Sequence, residues 1–335
     1  MMKAATVSLL LLLSSQVRAT VREVPDQLGD IAFWHMIDTF SEENTPYTPF
    51  YMSNEADYPA AAAQLAASKN YGGVYVGVGT EQNFTYIANV RPSMAFVIDI
   101  RRENVLEHLM YKALFELSPT RSAFVSRLFS RVERPVGPEA KAEELFRDLG
   151  NIHSGLSGKT SQEIRDQLTK VHGYPLSTAD LDAIDRMHSW LAQFMLTYSE
   201  LMARTDENGG QWSYLASDGN YQTVRNLQLR NLIVPVTGDF GGTKAMRSIA
   251  EYVNSLNVKT SVFYASNVEN SLRAPIWRQF HSNLSLLPFD SNSVILRAIP
   301  SPEGRHFWLL PTICPAQHML QGFTDNTRQS FDPAC

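Results

Sequence analysis

Residues 71–102 read YGGVYVGVGTEQNFTYIANVRPSMAFVIDIRR, and this stretch decides the fold. Val74, Tyr75 and Val76 form a β-prone apolar run that ends in Gly77-Val78-Gly79. Thr80 to Val90 follows with Phe84, Ile87 and Ala88 on one helical face. Arg91-Pro92 ends that helix, because the residue before proline is biased away from the α region. Met94 to Ile98 is uniformly apolar and ends in Asp99. Such a run fits a strand buried on both faces of a parallel sheet. The stretch is therefore a β-loop-α-β unit.

The turn suggests chemistry. Glycines at 77 and 79 let the backbone bend sharply and let a ligand approach. The helix that follows points free N–H groups at that place. Asp99 lies 22 residues after Gly77 and ends the second strand. An acid there can accept hydrogen bonds from both hydroxyls of a ribose. The third glycine of a dinucleotide fingerprint is Gln82 in this chain. A tight strand-helix turn without a ligand is the alternative reading.

Outward from this unit, the chain of 335 residues suffices for one large α/β domain or two smaller ones. Its net charge of −5 offers no broad basic face for nucleic acid. Lys3, the apolar run Ala4 to Leu13 and Val17-Arg18-Ala19 form a secretory signal pattern over residues 1–19. The run is too short to span a bilayer, so a cleaved, extracytoplasmic (periplasmic or secreted) protein without an integral membrane segment is expected. Cys314 and Cys335 are the only cysteines, and an oxidising compartment would permit them to pair. Their geometry is not legible from sequence. Asn83-Phe84-Thr85 and Asn283-Leu284-Ser285 match the N-glycosylation pattern.

Before the core unit, Leu28, Ile31, Ala32, Trp34 and Ile37 give a helical apolar stripe. Ser53-Asn54-Glu55 precedes an Ala-rich helix from Tyr58 to Ser68, and Ser53 or Asn54 could cap it. After Asp99, helices are expected over Glu103–Leu117 and from Pro119 to Ser130. Residues 131–210 read as a helical insertion, with helices over Glu139–Leu149, Ser161–Val171 and Thr178 to about Arg204. His188 lies mid-helix and is expected to be packed or solvated, since no ligand partners sit at metal spacing. The sheet pattern returns over Arg230–Asp239, an apolar strand ending in a polar turn, where Pro235 marks a bulge or an edge. A helix over Thr243–Leu256, a strand over Lys259–Tyr264 and antiparallel strands over Ser293–Ile299 and His306–Leu310 complete the chain.

Open α/β sheets bind ligands beyond the carboxyl ends of their strands. Asp99, Gly238-Asp239 and Ser266-Asn267 with Glu269 are therefore expected to converge on the glycine turn. Asp239 could orient a nucleophile or serve as a general base, or it could cap the next helix or close a turn. No G-x-S-x-G, H-E-x-x-H, C-x-x-C or Walker sequence occurs, so no metal site is expected.

The strand-glycine-helix-strand-acid layout resembles an S-adenosylmethionine-dependent methyltransferase. The stretches SNE, GVYVGVGTEQNFTYIANVRPSMAFVIDIRRENVLEHLMYKALFEL, RNLIVPVTGDFGGTKAMR and FYASNVEN resemble an uncharacterised bacterial family with that fold. The likeness covers roughly residues 50–130 and 210–271. It implies an α/β, Rossmann-like, mostly parallel sheet with helices on both faces, in a single domain over residues 20–335. It also implies a site for S-adenosylmethionine or a related nucleoside. Gly77, Gly79, Glu81, Asn83, Asp99 and Arg101 are the candidate donor-binding residues, and Asp239 and Asn267 the candidate catalytic ones. On that pattern Asp239 falls after the fourth strand, next to the transferred methyl group. Tyr75 and Glu81 stand where methyltransferases usually carry an acid and a third glycine. A non-catalytic extracytoplasmic binding protein on the same fold is the alternative.

Overall fold

The computed structural model describes residues 23–46, 50–147, 149–150, 153–273, 275–300, 309–324 and 335. The signal pattern at 1–19 lies outside them. In chain order the elements begin with α1 (Asp30–Phe40), α2 (Tyr58–Ser68), β1 (Val74–Val78), α3 (Gln82–Val90), β2 (Met94–Asp99), α4 (Arg102–Leu117) and α5 (Arg121–Leu128). The inserted region holds α6 (Ala142–Phe146), α7 (Ser154–Asp166), α8 (Thr178–Gln193) and α9 (Met195–Met202). Then come α10 (Asp218–Leu229), β3 (Ile233–Thr237), α11 (Ala245–Ser255), β4 (Thr260–Ser266), α12 (Val268–Ser271) and α13 (Ile276–Leu284). The last are β5 (Val294–Pro300), β6 (Leu309–Pro315) and α14 (Ala316–Thr324).

One sheet of order β3-β2-β1-β4-β5-β6 runs through the molecule. All its neighbours are parallel except β5 and β6, which pair antiparallel. β2 is buried along its whole length, as its unbroken apolar run requires. Pro235 sits in β3, which pairs only with β2, so the proline occupies an edge. The chain steps outward from β1 to β2 to β3, then returns past β1 to β4. Right-handed crossovers put the helices of the outward and returning steps on opposite faces. Accordingly α3, α4 and α10 pack together, while α11 packs against α1 and α13.

Three local expectations change. Ile31 is 90% exposed; α1 buries Ile37 as expected, but with Phe33 and Met36 beside it. The α7 helix starts at Ser154, ahead of its expected start, and runs through Gly155 and Gly158 into a π-helical turn over Gln167–Val171. Glycine weakens a helix by about 1 kcal/mol per residue, so those two positions masked it in the sequence. The long helix from Thr178 is interrupted at Phe194, between α8 and α9. His188 is fully buried and its Nε2 lies 2.9 Å from the Arg127 carbonyl oxygen.

The two cysteines pair, so Cys335 is tied to β6 through Cys314. Both sequon asparagines are buried: Asn83 lies under the first turn, and Asn283 donates to the carbonyls of Phe240 and Gly242. Neither can carry a glycan in the folded chain.

The two glycines of the turn differ in kind. A Cβ on Gly77 would overlap the Asn83 amide oxygen and come within 2.7 Å of the Tyr75 hydroxyl. Gly79 has φ +83 and open space where its Cβ would be. Gly77→Ala is expected to cost about 1–3 kcal/mol by overpacking, and Gly79→Ala about 1–2 kcal/mol by backbone strain alone. Urea denaturation of both variants checks this: Gly77→Ala with unchanged stability would contradict the packing seen beneath the turn.

Candidate functional site

The β1-α3 turn is held from below. Asn83 Nδ2 donates to the carbonyls of Val78 and Thr80 at 2.9 and 2.8 Å, and its oxygen accepts from Tyr75 Oη at 3.0 Å. From α4, Asn104 Nδ2 and His108 Nε2 each reach the Gly79 carbonyl at 2.8 Å. Burial pushes the His108 imidazole down to about 4, so it is neutral and donates through Nε2–H.

Above this turn a cavity of about 390 Å³ opens at the carboxyl ends of β1, β2, β3 and β4. That volume suits a small organic ligand. Gly79, Asp99, Arg101, Asp239 and Asn267 all line it. Gly77, Glu81 and Asn83 do not; they lie in the support beneath the turn. The structure therefore brings together five of the eight residues singled out from sequence.

Their arrangement differs from the expected one. Asp99 is bound on both oxygens by Arg101, with Nε at 2.8 Å, Nη2 at 2.9 Å and the backbone N–H at 3.0 Å. A carboxylate offers about four acceptor sites. Three are filled, so Asp99 can take one further hydroxyl and not the two of a ribose unless Arg101 moves. Arg101 also donates to the Phe50 carbonyl at 3.1 Å, which anchors it.

Asp239 is displaced from its assigned place. It follows the edge strand β3, on the Asp99 side of the glycine turn, rather than the strand beside β1. The strand next to β1 on the other side is β4, whose end carries Ser266-Asn267. Chain order misled here because the segment between β2 and β3 steps outward. Asp239 Oδ1 accepts from Gly241 N at 2.7 Å, so it closes a turn. The cap of α11 is Glu42 instead: its carboxylate accepts from Lys244 N at 2.6 Å and Ala245 N at 2.8 Å. Glu42 lies 203 residues before Ala245, and no local signal could reveal it.

Three buried carboxyl groups surround the turn, and sequence reasoning missed two of them, Glu55 and Glu107. Glu55 lines the cavity yet is 1% exposed. Burial raises its pKa, against the lowering effect of hydrogen bonds from Ser266, Tyr264 and Tyr86. Glu81 is fully buried and accepts from Ser53 N at 2.9 Å; burial pushes it up to about 7. Glu107 is buried with neither oxygen hydrogen-bonded, and burial holds it well above the usual carboxylate range. Gln82 lines the cavity with both amide atoms unpartnered. The signal available was acids and amides beside apolar residues: SNE for Glu55, EQN for Glu81 and Gln82, and VLEHLM for Glu107. Among the described residues no group of His, Cys, Asp and Glu is placed to hold a metal. No described helix is long and apolar enough to cross a membrane.

The class this defines is an α/β protein with a mostly parallel sheet and a small-molecule-sized cavity at its strand ends. Within that class, a family model matches residues 50–325, the domain of unknown function DUF7790, and the chain belongs to this family. No curated protein matches it.

Glu81 yields a pH prediction. Its folded pKa of about 7 exceeds the ordinary 4.5, so its contribution is fully present below 4.5 and is lost as pH rises towards 7. The loss is on the order of 3 kcal/mol. The stability difference between wild type and Glu81→Gln should fall by that order between about pH 4.5 and 7.5 in urea titrations. A difference that is flat with pH would place the Glu81 titration elsewhere.

Proposed function

We propose that this chain binds an elongated nucleoside-type small molecule on a Rossmann-like, methyltransferase-like scaffold, with S-adenosylmethionine or its demethylated product as the first candidate. One observation carries the reading: the cavity follows four adjacent strand ends, from Asp239 through Asp99 and Gly79 to Asn267. Strands lie about 4.8 Å apart, so these ends span roughly 14 Å, the reach of a nucleoside with a side arm. The strand order reverses between β1 and β4, and open sheets bind ligands at such a switch point. Gly79 leaves room for close approach, and Asp99 has capacity for one hydroxyl. Asp239 would then meet the base end of the ligand and Asn267 its side arm.

The Asp99–Arg101 pair favours a second reading, a non-catalytic binding protein whose ligand lacks a ribose diol. The Cys314–Cys335 bond suits an oxidising compartment outside the cytosol, where a methyl donor made in the cytosol is scarce. Under this reading the cavity holds a different small molecule.

Calorimetry separates the two. The first predicts saturable 1:1 heat with S-adenosylmethionine or its demethylated product, and affinity lowered at least about tenfold in Asp99→Ala, as for loss of a charged hydrogen bond. No heat with either compound, from protein with an intact thermal transition, would leave the second reading standing.

A further inference from the structure

Ser266 ends β4 with a left-handed backbone, φ +48, and α12 begins two residues later. A side chain in that conformation is strained, and such strain collects at sites where geometry is used. The β4-β5 ladder also slips between Tyr264 and Ser266. An irregularity of this kind re-aims the side chains around it. Ser266 lines the cavity, and its hydroxyl donates to Glu55 Oε1 at 2.6 Å. Tyr264 donates to the same oxygen at 2.6 Å and Tyr86 to Oε2 at 3.1 Å. Glu55 is thus locked in place by three hydroxyls, two of them from residues of the cavity wall, Tyr264 and Ser266, with Ser266 at the strand end.

We propose that Ser266 is a nucleophile and Glu55 its general base, acting on an ester or amide carbonyl held in the cavity. Glu55 takes the Ser266 proton as Oγ bonds to the carbonyl carbon. The bond to the leaving alcohol or amine breaks, and Glu55 passes the proton to it. Water then repeats the sequence: Glu55 takes its proton as the water oxygen bonds to the acyl carbon, the acyl–Oγ bond breaks, Glu55 returns the proton to Oγ, and the acid is released with Ser266 restored. Water is the only co-reactant. A strained strand-turn-helix is the device that lifts a serine nucleophile clear of a sheet. Tyr264 and Val268 stand where that motif carries glycines, so a sequence pattern does not reveal it. Burial raises the basicity of Glu55, in the direction a base working near neutral pH needs. A serine that merely satisfied Glu55 would need neither the strained backbone nor a place on the cavity wall.

The test is covalent labelling of the full chain with a fluorophosphonate, read by peptide mass spectrometry. It is independent of nucleoside binding, which calorimetry reads. The expected result is an adduct on Ser266, absent in Ser266→Ala, and labelling slowed about 100-fold in Glu55→Gln. If Ser266→Ala or Glu55→Gln fails to fold, Ser266→Cys replaces it. Alkylation of the introduced thiol by iodoacetamide is then expected to be faster in the folded chain than in urea. A folded wild type unlabelled at Ser266, labelling at the same rate in folded Glu55→Gln, or an introduced thiol no faster than in the unfolded chain would each overturn the proposal.

Discussion

The structure depends on how one turn is held open. Gly77 leaves out a side chain, and Asn83 occupies the space. From there Asn83 ties down the carbonyls of Val78 and Thr80 while Tyr75 holds its oxygen. The Gly79 carbonyl is pulled down by Asn104 and His108 of α4. All these bonds lie beneath the turn and leave its upper surface to the cavity. A buried amide can do this only if its donors and acceptor are all used, since each unpaired polar group costs about 1–3 kcal/mol. Asn83 meets that condition, which makes it a structural residue of the site and not a ligand contact.

The same count of donors and acceptors separates satisfied polar groups from unsatisfied ones around the cavity. Asp99 commits three of its acceptor sites to Arg101, and Asp239 commits one to Gly241 N. Glu55 accepts three hydroxyl bonds. Gln82 and Glu107 instead are buried with nothing bonded to their side-chain polar atoms. Native proteins rarely bury polar groups in that state.

The inserted helices secure the opposite side of α4. His172, just after the π-helical turn, bridges Glu116 of α4 and Asp30 of α1, each at 2.7 Å. Lys112 contacts Glu116 and the Gln228 carbonyl, both at 2.6 Å. Buried ion pairs add little net stability, but removing one member leaves an uncompensated charge. The network therefore fixes where α4 sits, and α4 supplies Asn104 and His108 to the turn. Glu116 and His172 belong to regions far apart in sequence, so neither stood out as a partner of the other.

Strand, helix and turn in residues 71–102 were legible because hydrophobic period, proline and glycine are local signals. So was the parallel character of the sheet, from runs such as Met94–Ile98, while Pro235 read as a bulge or an edge and the strand order made it an edge. Gly79, Asp99, Arg101, Asp239 and Asn267 were legible as strand-end residues, for strand ends of a parallel sheet share one rim. Tertiary structure alone decided which strand neighbours which, and so moved Asp239 to the Asp99 side. It alone matched Glu42 to α11, Arg101 to Asp99, and Glu55 to Tyr86, Tyr264 and Ser266. The physical reason is one of range: backbone preference acts over a few residues, whereas a charge or hydroxyl acts on whatever folding brings within about 3 Å.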